Sequence, residues 1–263
     1  MLSKNVVKYL NSLQLKKYRQ EHGSFLVEGA KSVVELLASD FEIEMLVATD
    51  AFYKENTQKF DKQPFRVEIA TPDELSRVGT LQTNDAALAV VKTKSNDFLY
   101  AEKQEYVLVL DDIRDPGNLG TIIRIADWYG ITKIICSPTT TDWYNPKVIA
   151  AGKGSFTRVR GYYAELTDYF EQVTDVTNAH AHPSRLQIGT SIYGTFLEGK
   201  NIHQTTFAEA GYIVMGNESN GISPAVETFI TQKITIPRFG NAESLNVGIA
   251  AAVVLDNWRK NTK

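Results

Sequence analysis

The second half of the chain alternates between strand-like runs and helical patterns, and this alternation restricts the fold more than any other feature. There are six strand-like runs, and helical patterns lie between most of them. The runs are YVLVLDD (106–112), KIIC (133–136), TRVRGYY (157–163), RLQIGTSI (185–192), GYIVMG (211–216) and KITIP (233–237). Strands that alternate with helices form mostly parallel sheets. The sequence therefore predicts an α/β domain, although periodicity does not give the order of its strands.

The first half predicts a smaller α/β domain. Short apolar runs between residues 24 and 91 are separated by helical patterns, and Thr71-Pro72-Asp73-Glu74 is typical of a helix start. Residues 93–105 are polar and have no clear period, so we place a linker there. With 263 residues the chain is long enough for two ordinary domains, which we expect at residues 1–97 and 105–263.

Cysteine use and hydropathy narrow the class of protein. No apolar run reaches the roughly 18 residues that span a membrane, and the N-terminus has no apolar segment typical of a secretory signal. The one cysteine, Cys136, excludes an internal disulfide and fits a reducing compartment. We therefore expect a cytoplasmic protein with no membrane partner.

The distribution of charge is more informative than its sum. A net charge of −3 and a pI of about 5.9 argue against a nucleic-acid partner. Two basic islands argue the other way, because residues 1–20 and 143–164 contain no acid. Such islands are either solvated faces or grips for a phosphate backbone, with aromatic residues Phe156, Tyr162 and Tyr163 available for stacking. The candidate phosphate contacts are Lys16, Lys17, Arg19, Lys153, Arg158 and Arg160.

The connection after the strand at 106–112 imitates a nucleotide-binding turn but lacks its glycines. Asp115-Pro116-Gly117-Asn118-Leu119-Gly120 fits neither the dinucleotide fingerprint nor the P-loop. Arg124 then lies inside an otherwise apolar helix. A guanidinium is always charged, so Arg124 either extends to solvent or points at an anion, and spacing alone does not decide between them.

Two later connections also carry polar residues at strand ends. Gly216-Asn217-Glu218 follows an apolar strand, in the position where α/β sheets usually bind ligands, although an ordinary turn has the same appearance. The loop from Arg238 to Asn246 is long for its type. It precedes a helix of small apolar residues, which we expect to pack closely on the sheet or on a second subunit.

Taken together and in order, the three connections resemble a known family. The patterns N-x-G-x-x-x-R, G-N-E-x-x-G-I-S and I-P-x(6)-S-L-N-V resemble the three motifs of the SpoU branch of the SPOUT methyltransferases, which methylate RNA ribose 2′-hydroxyls with S-adenosylmethionine. The resemblance covers residues from about 105 to 260. LNSLQLKKYRQEHGSFLVEGAKSVVELL, near the N-terminus, resembles the RNA substrate-binding domain of the ribosomal RNA members.

The resemblance implies a mostly parallel SPOUT-type sheet with a C-terminal trefoil knot, preceded by the smaller RNA-binding domain. It further implies a homodimer that uses the last helix and the first helix of the catalytic domain. The cofactor contacts that it implies are Gly216, Asn217, Ile236 and Leu245.

The same resemblance assigns catalytic roles. Arg124 would lie beside the target ribose, bind the adjacent phosphate and stabilise the hydroxyl as it reacts. Asn118 and Asn246 would hold the ribose or each other, and Glu218 would orient Arg124 or accept a hydrogen bond from the substrate. Ser244 would complete this network, and no metal is needed.

Three other functions remain to be weighed. A transfer RNA methyltransferase differs only in its substrate, and ribosomal RNA is favoured by the N-terminal resemblance. A non-catalytic RNA-binding relative would lack site residues, yet Arg124, Glu218 and Asn246 are present. A nucleotide-dependent oxidoreductase needs the absent glycine fingerprint, and the pair His180 and His182 lies in a polar loop that does not indicate a metal site.

Overall fold

The computed structural model describes residues 1–62, 65–174 and 190–260. The helices are α1 (Lys4–Ser12), α2 (Lys16–His22), α3 (Ala30–Leu37), α4 (Asp50–Asn56), α5 (Pro72–Val78), α6 (Pro116–Tyr129), α7 (Pro146–Gly152), α8 (Leu166–Thr174), α9 (Pro224–Glu227) and α10 (Val247–Lys260). The strands are β1 (Ser24–Glu28), β2 (Ile43–Ala48), β3 (Arg66–Ile69), β4 (Ala87–Lys92), β5 (Tyr106–Leu110), β6 (Lys133–Cys136), β7 (Arg160–Tyr163), β8 (Ser191–Asn201), β9 (Gly211–Met215) and β10 (Gln232–Thr235).

Contacts divide the chain into two compact units. The first unit contains residues Met1–Ser95 together with Asp142–Arg158, and the second contains Asn96–Thr141 and Val159–Lys263. This division differs from the two contiguous domains expected from the sequence. Residues 142–158 belong to the first unit because α7 packs on β1 and Ile149 and Phe156 lie in the first unit's core. Nothing in the local pattern of this segment distinguishes the two destinations.

The first unit is built on a four-stranded mixed sheet in the order β1-β4-β2-β3. Strand β4 runs antiparallel to both of its neighbours, whereas β2 and β3 are parallel. The predicted helix start at Thr71 is confirmed. Thr71 and Glu74 form a capping box in which each side chain accepts a hydrogen bond from the other's backbone N–H.

The second unit contains a six-stranded sheet in the order β10-β8-β9-β5-β6-β7, with every neighbouring pair parallel. The central strands β5 and β9 are buried along their whole length, as expected for a sheet covered on both faces. The predicted α/β class with a mostly parallel sheet is therefore confirmed.

Strand β8 differs most from the sequence prediction. The run RLQIGTSI (185–192) overlaps it only at Ser191 and Ile192, and β8 continues to Asn201. Residues 185–189 lie outside the described part of the chain. The prediction ended too early because the later residues of β8 are largely exposed and lack an apolar run, so their pairing with β10 could not be read from periodicity.

Helices α6 and α10 pack on each other in the second unit. A glycine at position 248 permits this approach, because a Cβ there would lie 3.2 Å from Cγ2 of Thr121. At the other end of the pair, Nε of Arg259 donates a hydrogen bond to the carbonyl oxygen of Tyr129 at 2.6 Å. The small apolar helix predicted at the C-terminus therefore finds its close-packing partner within its own unit.

Candidate active site

Three connections of the second unit meet beyond the carboxyl ends of its strands. One joins β5 to α6, the second follows β9 at residues 216–223, and the third follows β10 at residues 236–246. We call the second the closed loop and the third the open loop, for reasons given below. Their side chains join in a short hydrogen-bonded network of Asn118, Glu218 and Asn246.

The donors and acceptors of the network follow one order, which starts from Asn246 at the beginning of α10. Oδ1 of Asn246 accepts the backbone N–H groups of Gly248 (2.9 Å) and Ile249 (3.3 Å), so Asn246 caps the helix. Its amide nitrogen must then face outward, and it donates to Oδ1 of Asn118 at 2.9 Å. The amide of Asn118 in turn donates to the Glu218 carboxylate. Helix α10 thus orients two amides and presents a donor to Glu218.

Asn118 is carried into this network by the start of α6. Asp115 caps the helix by accepting the N–H of Asn118 at 2.8 Å, and Pro116 occupies the first turn. The sequence Asp-Pro-Gly-Asn is therefore a helix start and not a phosphate-binding loop. The structure joins Asn118 and Asn246 by a hydrogen bond, which is one of the two arrangements expected for them.

The closed loop is held by many internal hydrogen bonds. The backbones of Asn217 and Gly221 exchange two bonds, at 3.0 and 2.9 Å. Oδ1 of Asn217 accepts the N–H groups of Ser219 and Asn220 at 2.8 and 3.2 Å. A Cβ at Gly216 would lie 2.2 Å from the carbonyl carbon of Gly221. Glycine is therefore required at 216 by this return of the chain, and that contact gives no indication of a ligand.

The loop after β5 is fastened to the closed loop at two points. Nδ2 of Asn217 donates to the carbonyl oxygen of Asp112 at 2.8 Å. The buried Asp111 accepts the N–H of Ser223 through Oδ2 at 2.8 Å. The pKa of the Asp112 carboxyl is lowered because Arg114 donates a hydrogen bond to it. Sequence reasoning missed Asp111 and Asp112 as site residues, although paired acids directly after a buried strand were a usable signal.

The open loop is different, because its backbone N–H groups are unpaired. Among the described residues, no hydrogen bond is donated by the backbone N–H groups of residues 238–245. Within residues 238–245, the one side-chain hydrogen bond runs from Nη1 of Arg238 to the carbonyl oxygen of Ala242 at 3.3 Å. Phe239 is 94% exposed, Leu245 is partly exposed and Ile236 is half-buried. Free backbone donors beside apolar side chains suit an adenine ring and a polar ligand tail.

Two predicted catalytic residues do not join the network. Ser244 is exposed, and no hydrogen bond of its side chain is formed within residues 1–62, 65–174 and 190–260. Over the same ranges Arg124 has neither a hydrogen bond nor an ion pair, and it is exposed. Arg124 lies six positions after Asn118, which places their side chains about 120° apart around α6. Glu218 therefore pairs with Asn118 and does not orient Arg124.

Five of the six predicted RNA contacts are exposed. Lys16, Lys17, Lys153 and Arg160 are exposed, and the Lys17 ammonium lies 5.7 Å from the centre of the Tyr18 ring. Arg158, also exposed, forms an ion pair with Glu35.

The prediction for Arg19 is wrong. Its side chain is only 4% exposed, its Nη1 donates to the carbonyl oxygens of Leu13 and Gln14, and its Nε donates to Asp142. It fixes the turn between α1 and α2. Phe156 is likewise buried in the first unit's core and cannot stack on a base.

In the part of the chain that the structure describes, no group of three or more His, Cys, Asp or Glu residues is placed to hold a metal ion. The pair His180 and His182 lies outside that part. No described helix is both long enough and apolar enough to cross a membrane.

Comparisons with known proteins match both halves. A family model described as SpoU rRNA Methylase family matches residues 105–256, and one described as MRM3-like substrate binding domain matches residues 4–89. The 23S rRNA (guanosine(2553)-2'-O)-methyltransferase RlmP of Bacillus subtilis is 28% identical over 96% of this chain and 95% of its own length.

Solved structures agree over the whole length. A putative RNA methyltransferase of the TrmH family from Porphyromonas gingivalis is 32% identical, with a TM-score of 0.82 and coverage of 99% of both chains. An AdoMet-bound rRNA methyltransferase from Sinorhizobium meliloti is 26% identical, with a TM-score of 0.84 and coverage of 99% of this chain and 96% of its own.

Proposed function

Because the chain belongs to the SpoU rRNA methylase family, as its three motifs predicted, we propose that it transfers a methyl group from S-adenosylmethionine to a ribose 2′-hydroxyl of ribosomal RNA. The relatives named as 23S rRNA 2′-O-methyltransferases match nearly the whole chain, including its N-terminal unit. This full-length match favours ribosomal over transfer RNA.

The observation that carries the proposal is the meeting of three motifs in one network. Asn118 comes from the first motif, Glu218 from the second and Asn246 from the third, and Asn118 is bonded to both of the others. The bonded pairs are 100 and 128 positions apart in the sequence. Their convergence at the carboxyl edge of a parallel sheet is the arrangement that a reaction site on such a sheet requires.

The open loop is the proposed cofactor site. The unpaired N–H groups of residues 238–245 would bind polar groups of S-adenosylmethionine, and the side chains of Ile236 and Leu245 would cover its adenine ring. When bound, S-adenosylmethionine supplies a methyl group activated by its sulfonium. In the closed loop, Gly216 lets the backbone fold back on itself, and Asn217 holds the loop in place through its hydrogen bonds.

The residues of the network would prepare the hydroxyl. A ribose hydroxyl is a weak nucleophile and loses its proton as it attacks. The Glu218 carboxylate accepts one hydrogen bond from Asn118 and has lone pairs left to accept another from the ribose. The Arg124 guanidinium stays protonated, so its role is to hold the adjacent phosphate and stabilise the negative charge that develops on oxygen. Ser244 at the end of the open loop would contact the same nucleotide.

A homodimer is part of the proposal. Trp128 on α6 is 83% exposed and Ile249 on α10 is 55% exposed, although the two helices pack together. Large apolar side chains on neighbouring helices favour burial against a second copy. Arg124 lies one turn from Trp128, so the same face would bring Arg124 towards the partner subunit. The C-terminal trefoil knot and a cytoplasmic location are further proposals, supported respectively by the family resemblance and by the single cysteine.

RNA would be held by the exposed basic residues of both units. Lys16, Lys17 and Lys153 lie on the first unit and Arg160 on the second, without an ion pair among the described residues. Arg158 would exchange Glu35 for a phosphate. Since each phosphate contact releases counterions, affinity for RNA should fall steeply as salt rises.

The function is tested by methyl transfer. Purified protein is mixed with S-adenosylmethionine carrying a radiolabelled methyl group and, in separate tubes, with unmodified ribosomal or transfer RNA. Arg124→Ala is expected to reduce kcat about 100- to 1000-fold, because a positioned charge is lost from the transition state. Arg77→Ala removes another exposed arginine, from outside the proposed site, and serves as the matched control.

The outcomes separate the alternatives. Label on a ribose 2′-oxygen of ribosomal RNA supports the proposal, and label on transfer RNA alone favours the transfer RNA enzyme. Absence of both label and cofactor binding would favour a non-catalytic RNA-binding protein. Equal losses for Arg124→Ala and Arg77→Ala would remove Arg124 from the mechanism.

A further inference from the structure

We propose that Asn217 is a positioning residue that holds Glu218 against Asn118, and that it does not contact the cofactor. This inference rests on the proposed function and replaces the role that the family resemblance suggested for Asn217. The inference depends on three observations: the hydrogen bonds of the Asn217 side chain, the constrained backbone of Asp112, and the place of Glu218 as the residue after Asn217.

The amide group of Asn217 is occupied on both sides. Its Oδ1 accepts two backbone N–H groups, from Ser219 and Asn220. Its Nδ2 donates to the carbonyl oxygen of Asp112 at 2.8 Å and lies 3.3 Å from Oδ2 of the same residue. An oxygen with two lone pairs has no further acceptor capacity, and the donor side faces Asp112. Little remains for a ligand.

Asp112 is itself held in an unusual conformation. Its φ of 61° lies in the left-handed region, which a residue other than glycine adopts when its surroundings impose it. Oγ of Ser137 accepts its N–H at 2.9 Å, and Nε of Arg114 donates to its Oδ1 at 2.9 Å. Asn217 bonds to the carbonyl oxygen of this constrained residue, so the loop after β5 is a firm anchor.

The anchor fixes where Glu218 lies. The closed loop is attached through Asn217 at its start and through the bond from Ser223 to Asp111 at its end. Glu218 lies between these two attachments and meets Asn118 from α6. A displacement of about 1 Å at a reacting group can cost about 100-fold in rate. Loss of the Asn217 anchor would therefore reduce turnover without removing any group that touches RNA or cofactor.

The test uses Asn217→Asp. The introduced carboxylate still accepts from Ser219 and Asn220, but it has no proton for Asp112 and faces two of its oxygens. We expect kcat to fall about 10- to 100-fold, while KM for S-adenosylmethionine changes less than about twofold. Asn220→Asp adds the same charge to the same loop, where the side chain has no hydrogen bond or ion pair within the described residues, and should leave both constants near wild type.

A double variant separates positioning from general damage. If Asn217 acts through Glu218, then in a Glu218→Ala background Asn217→Asp should cost less than about twofold further, because interacting residues are not additive. If thermal melting shows that Asn217→Asp is not folded, Asn217→Ser takes its place. The serine hydroxyl still accepts hydrogen bonds from the loop, but the serine side chain is too short to reach Asp112.

Each remaining outcome overturns the inference. Provided that the wild type is active, an unchanged kcat or a fully additive double variant would show that Asn217 has no positioning role. A tenfold rise in KM for S-adenosylmethionine at constant kcat would show that Asn217 contacts the cofactor directly. If the wild type transfers no methyl group to either RNA, the proposed function fails and the inference fails with it.

Discussion

The closed loop and the open loop carry two of the three motifs, yet they are built in opposite ways. In the closed loop, backbone and side-chain bonds link Asn217 to Gly221, Ser219, Asn220 and Asp112. In the open loop, residues 238–245 donate no backbone hydrogen bond among the described residues. Asn118 joins the two loops, because it is bonded to Glu218 in the closed loop and to Asn246 at the end of the open loop.

The difference indicates a division of labour. Unpaired backbone groups are unfavourable when buried but are useful where a ligand will pair them. We therefore propose that the closed loop presents Glu218 in a fixed position before substrate arrives, and that the open loop leaves its donors free for the cofactor. Only Asn246, fixed by its cap on α10, ends the open loop in a defined place.

The largest expected effect comes from adding one methyl group to the closed loop, and the same addition to the open loop serves as the comparison. Gly216→Ala places Cβ 2.2 to 2.4 Å from the backbone of Gly221 and Ile222, and we expect it to lower the free energy of unfolding by about 3 kcal/mol. In the open loop, a Cβ at Gly240 meets nothing within 4 Å, so Gly240→Ala should change it by less than about 0.5 kcal/mol. Urea denaturation measures both, and equal effects would contradict the comparison.

A smaller effect is expected where the two loops are joined. In Asn246→Asp, the introduced carboxylate still caps α10 but cannot donate to Asn118, so the direction of the network is lost. Methyl transfer should fall about 10- to 100-fold, equivalent to roughly 1.4 to 2.7 kcal/mol, with no loss of thermal stability.

Asn201→Asp is the control for that variant. Asn201 caps a short 3-10 helix by accepting the N–H of His203 at 2.9 Å and lies outside the network. Its substitution should leave methyl transfer unchanged. A loss of activity in both variants, or a loss of stability in Asn246→Asp, would count against a directed network.

The smallest effect concerns the anchor of the closed loop. The pKa of Asp112 is lowered in the folded state, first because Arg114 donates a hydrogen bond to it. The stabilisation by this pair is therefore present above the ordinary pKa of an aspartate and is lost as pH falls through the lowered value. Arg114→Gln should be slightly less stable than wild type at neutral pH, and the difference should disappear in acid.

Arg238→Gln gives the matching result for the open loop. Arg238 donates to a carbonyl oxygen and not to a carboxylate, so the small effect of its replacement should not vary across the acid range. Thermal melting at a series of pH values measures both variants. A pH-independent effect of Arg114→Gln would show that Asp112 and Arg114 do not interact in solution.

Much of the fold could be predicted because its signals are local. The helix start at Thr71 is set by neighbouring residues and was predicted. The assignment of residues 142–158 to the first unit could not be predicted, because it depends on contacts with β1 and its core. The length of β8 was missed for the same reason, since pairing with β10 extends it beyond its apolar residues.

The site was predicted as a set of residues but not as an arrangement. Asn118, Glu218 and Asn246 were identified by resemblance, and their order in the network follows from which groups α10 leaves free. Arg19 was misassigned because a basic run does not reveal that Asp142 will meet one of its members. The sequence also did not reveal that the chain returns past Gly216, where a Cβ would lie 2.2 Å from the carbonyl carbon of Gly221. A sequence shows which residues are charged or flexible, but it does not show which neighbouring residues will contact them.

Amide hydrogen exchange, with and without S-adenosylmethionine, tests the contrast between the loops most directly. Without cofactor, the amides of Asn217, Ser219, Asn220 and Gly221 should exchange slowly and those of residues 238–245 rapidly. Addition of S-adenosylmethionine, but not of ATP as a control nucleotide, should slow residues 238–245 and leave the closed loop unchanged. Slow exchange in the open loop before addition, or protection confined to the closed loop after it, would contradict the account.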